Sequence, residues 1–186
     1  MKTFKLEPIN LEADKPQIES WDTLYRGKPE YESIRHFILE DDLIFGLGEL
    51  IATNYEHFSI GKNEIKKMLV AKTDKNEILG FIIFDVFDID TPHPEMFFQY
   101  IVLNPNYQHS GYGNEMLTEL FGNFKKHAGV KPKSIFCYIH KDNEASKHLF
   151  SNFGFELEPT NSEDYLCAKT LNKSLQNVIA SKKEKI

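Results

Sequence analysis

The chain has 186 residues and a mass of 21.6 kDa, the size of one ordinary domain rather than two. Hydrophobic residues make up 41% and charged residues 27%, a soluble globular composition. The net charge of −6, from 28 acids against 22 bases, argues against a general nucleic-acid binder, which needs a basic footprint.

Two cysteines, Cys137 and Cys167, cannot build a disulfide framework. Both lie in apolar runs and read as small buried hydrophobes in a reducing compartment. Met1-Lys2-Thr3-Phe4-Lys5 has no apolar run behind it, so no signal peptide is expected. No stretch approaches the roughly 18 continuous apolar residues of a membrane span. A cytoplasmic protein is the expectation.

Residues 4–9 alternate and predict a short strand, with Pro8 at its end or on an edge. Asp14-Lys15-Pro16 reads as a helix start, Asp14 capping, with the helix running to about Tyr25 and stopping near Gly27. Pro29 restarts helical spacing through Ile34, Phe37, Ile38 and Leu39. From residue 67 the pattern changes to strand. Met68–Ala71, a polar turn at 72–77 and the β-branched and aromatic run Ile78–Phe87 predict a hairpin. A loop around Pro92 and Pro94 leads to a strand over Met96–Leu103.

Helical spacing then runs from Tyr112 through Met116, Leu117, Leu120, Phe121 and Phe124, and Gly129 ends it. Ser134–Ile139 is a predicted strand, Asn143–Phe153 a helix closed by Gly154, and 155–157 with 165–168 a final strand pair. Residues 1–168 thus form a single mixed α/β domain with a mostly antiparallel sheet. Residues 169–186 carry five lysines and one glutamate and are expected to be a basic terminal helix or a frayed tail.

The informative segment is the strand ending at Leu103, the loop Asn104-Pro105-Asn106-Tyr107, and then Gln108-His109-Ser110-Gly111-Tyr112-Gly113 opening a helix. Glycines let the main chain approach a ligand closely. The first N–H groups of a helix have no partner inside it and point together at one spot. An anion there gains charge-assisted hydrogen bonds of about 1.5–3 kcal/mol each, and the helix dipole adds about 0.3–1 kcal/mol. Such a site needs no lysine. Gly-x-Gly also occurs in plain turns. The dinucleotide fingerprint is incomplete, because Met116 stands where its third glycine would be. No Gly-Lys-Ser/Thr is present, so a nucleoside triphosphatase is not indicated.

Gln108-x-x-Gly111-x-Gly113 after an apolar strand resembles the acyl-CoA pyrophosphate loop of the GNAT superfamily of N-acetyltransferases. Downstream, Asp142-Asn143 through Phe150 to Phe153-Gly154-Phe155 resembles that superfamily's asparagine-to-Gly-Phe helix. The resemblance is strong over about residues 67–157. It implies the GNAT fold: a mixed, mostly antiparallel twisted sheet of about six to seven strands, splayed at its centre and flanked by helices. It also implies acetyl-CoA as co-substrate and transfer of the acetyl group to a primary amine of a small molecule or peptide by direct attack. The strand ending at Leu103 would carry a bulge and part from the strand at 134–139. The pantetheine arm would then pair near Ile101, Val102 and Leu103, and N–H groups of Gln108, His109, Ser110, Gly111, Tyr112 and Gly113 would hold the pyrophosphate. Asn143 would reach the pantetheine, cap its helix, or do both. Phe150 would lie beside the cofactor.

That last position often holds a tyrosine that protonates the leaving thiolate, and a phenyl ring has no proton to give. Another group donates (Tyr112, Tyr138 or His140), the thiolate leaves unaided, or the protein is a non-catalytic acyl-CoA-binding regulator of the same fold. Some relatives hold a basic carboxylate at the place of Phe97. Glu95, one pleat away on the face expected to carry Phe97, Gln99 and Ile101, is the substitute suggested by period-two spacing; a solvated loop carboxylate is the alternative. The seven histidines show no metal spacing, so no metal is expected.

Residues 29–56 hold Glu30, Glu32, Glu40, Asp41, Asp42, Glu49 and Glu56 against one base, Arg35, a balance of −6. In this superfamily such helices roof the acceptor side. A carboxylate-rich rim attracts a cationic acceptor, and a solvated helix face is the other reading. Tyr31, Phe37, Phe45 and Tyr55 would line the acceptor pocket or belong to the core. Acetyl-CoA and an amine are the expected partners, with no nucleic acid and no membrane, and a homodimer is compatible with this reading.

Overall fold

The computed structural model describes residues 3–19, 21, 63–161 and 165–183. The helices expected between 20 and 56, apart from Trp21, and the acidic window at 29–56 lie outside the described residues. In chain order the elements are β1 (Lys5–Pro8), α1 (Leu11–Glu19), β2 (Ile65–Lys72), β3 (Ile78–Phe87), β4 (Glu95–Leu103), a 3-10 turn (Pro105–Tyr107), α2 (Tyr112–Gly122), α3 (Phe124–Ala128), β5 (Ser134–His140), α4 (Glu144–Ser151), β6 (Glu156–Pro159), β7 (Tyr165–Leu171) and α5 (Asn172–Lys183). The strands form one seven-stranded sheet in the order β1-β2-β3-β4-β5-β7-β6. All neighbours are antiparallel except β4 and β5, which run parallel and are joined by a helical crossover.

Apolar side chains lie on both faces of this sheet. One face packs Leu69, Ile82, Phe84, Met96 and Phe98 against Met116, Leu117, Leu120 and Phe121 of α2 and Phe150 of α4. The other collects Ile9, Ile18, Met68, Val70, Phe81, Ile83 and Val102, with Trp21 stacked on Phe81 at 5.9 Å. Because both faces are covered, β3 reads as a continuous apolar run rather than an alternating one.

Two expectations are corrected. Helix α1 begins before Asp14: Asn10 is the cap, its Oδ1 accepting from the Ala13 N–H at 3.2 Å. Asp14 closes the reciprocal bond, its Oδ2 accepting from the Asn10 N–H at 2.7 Å. Its other oxygen meets Lys72 Nζ at 2.8 Å, and Lys72 also reaches Glu7 at 3.1 Å. One buried cation thereby ties β1, α1 and β2 together.

The helix expected to run unbroken past Phe124 divides at Asn123, which leaves helical geometry at φ −132° and ψ 40°. Gly122 and Asn123 are poor helix formers side by side, and the Asn123 side chain bonds Glu119 instead, at 3.0 Å.

The C-terminal segment, expected as a basic helix or a frayed tail, forms a helix after β7. Residues 165–171 complete β7, and α5 packs into the main core with Leu175 fully buried and Ile179 beside it. Asn172 Nδ2 donates to the Pro132 carbonyl at 2.7 Å, and Gln176 Nε2 to the Phe121 carbonyl at 2.8 Å. The lysines mask an i, i+4 apolar pair that seats the helix.

Gly80 on β3 faces Leu103 across the sheet. A Cβ there would sit 2.5 Å from the Val102 carbonyl oxygen. Gly80→Ala is expected to cost about 1–3 kcal/mol through this clash with rigid backbone. Thermal melts should show Tm roughly 5 °C lower; an unchanged Tm would mean that β3 and β4 are not so closely apposed.

Candidate active site

The parallel ladder between β4 and β5 is short. It runs from Glu95 opposite Ser134 to Phe98 opposite Cys137 and then stops. Beyond it, β4 continues through Leu103 on β3, and β5 continues through His140 on β7. The two inner edges part, and past Phe98 and Cys137 neither has a strand partner across the opening among the described residues. Edge groups of this kind are a template for an extended ligand.

The parting coincides with a bulge. On β3, Ile83 pairs with Tyr100 and Phe84 with Phe98, so Gln99 is the extra residue. A bulge reverses the alternation that follows it. Ile101 and Leu103 therefore face the α2 side with Met96 and Phe98, while Tyr100 and Val102 face the other. This corrects the expectation that Ile101 shares a face with Glu95 and Phe97.

At the mouth of the opening the chain turns through Asn104. Its Oδ1 accepts from the Asn106 N–H at 3.0 Å, and its Nδ2 donates to the Ile78 carbonyl at 3.2 Å. His109 takes φ +57° and Gly111 φ +87°, both left-handed. Ser110 Oγ donates to the Tyr107 carbonyl. Gly111 caps α2 without a side-chain bond, so the first-turn N–H groups of α2 are directed at the exposed loop. Gly113 is buried, and a Cβ there would meet only ordinary contacts at 3.6 Å from Leu149. Gly111 is thus the glycine that the backbone conformation requires. The Tyr112 ring packs edge-on against Tyr107 at 5.7 Å and Phe4 at 6.3 Å, which holds it at the mouth rather than at the apex.

Asn143 caps α4, its Oδ1 accepting from the Ser146 N–H at 3.0 Å. Its amide nitrogen is not used in that bond. Phe150 lies under the apex with 3% exposure, packed on Phe98 at 5.6 Å and Phe155 at 4.9 Å. It is a core residue, and its ring offers little surface to a ligand.

The three residues expected to carry chemistry are spread along the opening. Glu95 lies at its closed end, where its Oε1 accepts from Ser134 Oγ. Tyr138 is the first β5 residue past the last pair, 57% exposed, with its ring edge on Phe97 at 5.8 Å. His140 lies two residues further on the same face, with its Nδ1 accepting from the Asp142 N–H at 3.3 Å.

One further carboxylate sits on that face. Asp85 of β3 is the direct cross-strand partner of Phe97 and is 7% exposed. Its Oδ2 accepts from Gln99 Nε2, at the bulge. Its Oδ1 has Lys66 Nζ at 3.8 Å and no hydrogen bond among the described residues. Burial pushes its carboxyl above the usual carboxylate range, against the pull of Lys66 and Gln99 and with a small push from Glu64. The sequence signal was there: one acid in the apolar run Ile78–Phe87.

Among the described residues no group of three His, Cys, Asp or Glu could hold a metal ion. No helix among them is long and apolar enough to cross a membrane.

A sheet parted between parallel strands at a bulge, with a glycine-opened helix at the mouth, is the architecture of an acyl-CoA-dependent acyltransferase. Residues 18–155 match the family model described as the Acetyltransferase (GNAT) family, and the chain belongs to that family. Among solved structures it is similar to the spermidine N-acetyltransferase of Vibrio cholerae in complex with CoA and spermine, at 14% identity, covering 94% of this chain and 98% of that one, with a TM-score of 0.60. The spermidine/spermine N-acetyltransferase of Vibrio cholerae in complex with manganese ions matches at 15% identity, 94% and 95% coverage and a TM-score of 0.61. A chimera of the Vibrio cholerae enzyme with hSSAT matches at 16% identity, 94% and 98% coverage and a TM-score of 0.64. At these identities the likeness is one of fold. A search of curated proteins finds no matching sequence.

Proposed function

We propose that this chain transfers an acetyl group from acetyl-CoA to a primary amine of a small cationic molecule, of the polyamine type. The observation that carries the transfer is the opening between β4 and β5 with the Gly111 loop at its mouth. It offers unpaired strand edges to a pantetheine arm and helix N–H groups to a pyrophosphate. The cationic acceptor is supported by the excess of carboxylates in the 29–56 sequence and by the polyamine enzymes among the structural neighbours.

The amine must lose a proton before it attacks. An alkylammonium near pKa 10.4 is over 99% charged at neutral pH, and making the neutral form costs on the order of 4 kcal/mol. Backbone N–H groups near Ile101 would polarise the thioester carbonyl. Tyr138 and His140, on β5 beyond the last pair with β4, would be the donors to the departing sulfur. A thiol pKa of about 8.5 makes unaided departure feasible, so the donor's share is small. Tyr138→Phe is accordingly expected to lower kcat by about tenfold or less without changing acetyl-CoA affinity, as steady-state kinetics would show.

The test of the whole reading is thiol release from acetyl-CoA with spermidine, spermine, an aminoglycoside and a lysine peptide. Release with the polyamines above the uncatalysed rate is expected. CoA binding without release for any amine would overturn it in favour of a non-catalytic acyl-CoA-binding regulator.

A further inference from the structure

An acid stands alone in the most apolar strand of the sheet, and the packing around it does not satisfy it. Asp85 is nine-tenths buried, yet only one of its carboxylate oxygens is hydrogen-bonded among the described residues. Leaving a buried carboxylate oxygen unpaired is costly, and such a group calls for a reason, a catalytic role among them. The position of Asp85 adds a second observation. Gln99, which holds its Oδ2, is the bulge residue and the first β4 residue beyond the last β5 pair. The carboxylate is therefore linked by one hydrogen bond to the apex of the opening, on the face that also carries Phe97 and Tyr138.

We propose that Asp85 receives the acceptor: its Oδ1 binds the ammonium group beside the thioester and takes the proton that must leave before attack. This rests on the acetyltransfer reading above and names the residue that completes it. Lys66 at 3.8 Å does not satisfy Oδ1 by a hydrogen bond, and its charge pulls against the upward push of burial on the carboxyl. Glu95 lies further from the bulge, at the first pair of the ladder, where its Oε1 accepts from Ser134 Oγ.

Asp85 takes one proton from the ammonium, directly or through a water. The nitrogen lone pair then forms the C–N bond while the C–S bond breaks. The second proton to leave nitrogen goes to the thiolate, giving CoA thiol, and Asp85 returns its proton to water. Among the described residues the charged groups acting on Asp85 are Lys66 and Glu64 at the start of β2, with the neutral Gln99 opposite on β4.

The experiment begins with wild type turning over acetyl-CoA and spermidine. Asp85→Asn is then expected to lower kcat/KM for spermidine by about 100-fold or more. The acetyl-CoA Kd should stay within about twofold of wild type. Tm should be unchanged or raised, because burial disfavours the charge that the substitution removes. The deficit should shrink as pH rises toward the pKa of the amine, and Asp85→Glu should recover part of the rate. Activity within about threefold of wild type at every pH overturns the proposal. So does a loss of acetyl-CoA binding and Tm together with the rate, which is the mark of a structural residue. Should Asp85→Asn fail to fold, Lys66→Met decides: losing the neighbouring cation should move the acid limb of kcat/KM to higher pH, and an unmoved limb overturns the proposal. If wild type releases no thiol with any amine, the acetyltransfer reading fails first and this one falls with it.

Discussion

Gly111→Glu is expected to weaken acetyl-CoA binding by about a thousandfold or more. Gly111 is the N-cap of α2, at the focus of its first-turn N–H groups. A carboxylate there would occupy the proposed anion site and repel the pyrophosphate. Two unit charges about 4 Å apart near a protein surface interact by roughly 4 kcal/mol, which is about three powers of ten in Kd. Part of the harm is conformational, because φ of +87° costs a non-glycine residue about 1–2 kcal/mol. Gly111→Ala separates the two, since it carries the strain without the charge. Calorimetry should find the alanine variant closer to wild type than to the glutamate variant. Equal losses would place the pyrophosphate elsewhere, and retained affinity in Gly111→Glu would refute the loop as its site.

The second large effect concerns stability. Lys72→Met is expected to destabilise the fold by about 3–5 kcal/mol, because it leaves the buried Asp14 carboxylate without its cation. Thermal melts should show Tm lower by roughly 10 °C. Adding Asp14→Asn removes the stranded charge and keeps a side chain able to serve the Asn10 N–H. The double variant should be more stable than Lys72→Met alone; a further loss instead would show that the pair is not coupled. The same contact predicts a pH response. Burial opposes the Lys72 charge, but Asp14 and Glu7 outweigh it and hold its pKa above 10.5. A cation with a raised folded-state pKa contributes its full stability below the unfolded value and loses it as pH climbs through the folded one. Wild type should therefore lose stability above about pH 10.5 by more than Lys72→Met does.

Much of the fold was legible in the chain because period and punctuation agree. The hairpin of β2 and β3, β4, β5 and the Asn143-capped α4 fall where apolar runs, polar turns and caps place them. The family was legible for the same reason: Gln108, Gly111 and Gly113 in a strand-to-helix frame carry a loop whose chemistry is local backbone geometry. Where neighbours decide, the reading stopped. Asp14 reads as a cap from its sequence neighbours, but its bonding is set by Lys72, which lies 58 positions away. The lysines of 169–186 leave a terminal helix and a frayed tail equally open because charge is visible locally, whereas the core that receives Leu175 and Ile179 is not.

The candidate site divides along the same line. The amino-acid sequence by itself determined the acetyltransferase family, the glycine-opened helix that follows β4, and the phenylalanine, Phe150, at the place of the usual tyrosine. Each of these rests on residues close together in the chain. Only the tertiary structure decided which way the side chains of β4 point and that a buried carboxylate of β3 bonds the bulge residue Gln99. A one-residue bulge at Gln99 turns Ile101 to the opposite face from Phe97, and strict alternation cannot foresee an inserted residue. A second carboxylate, besides Glu95 on β4, lies beside Phe97 in space, because strand register sets Asp85 of β3 opposite Phe97. Register is fixed by how two strands pack rather than by either one alone.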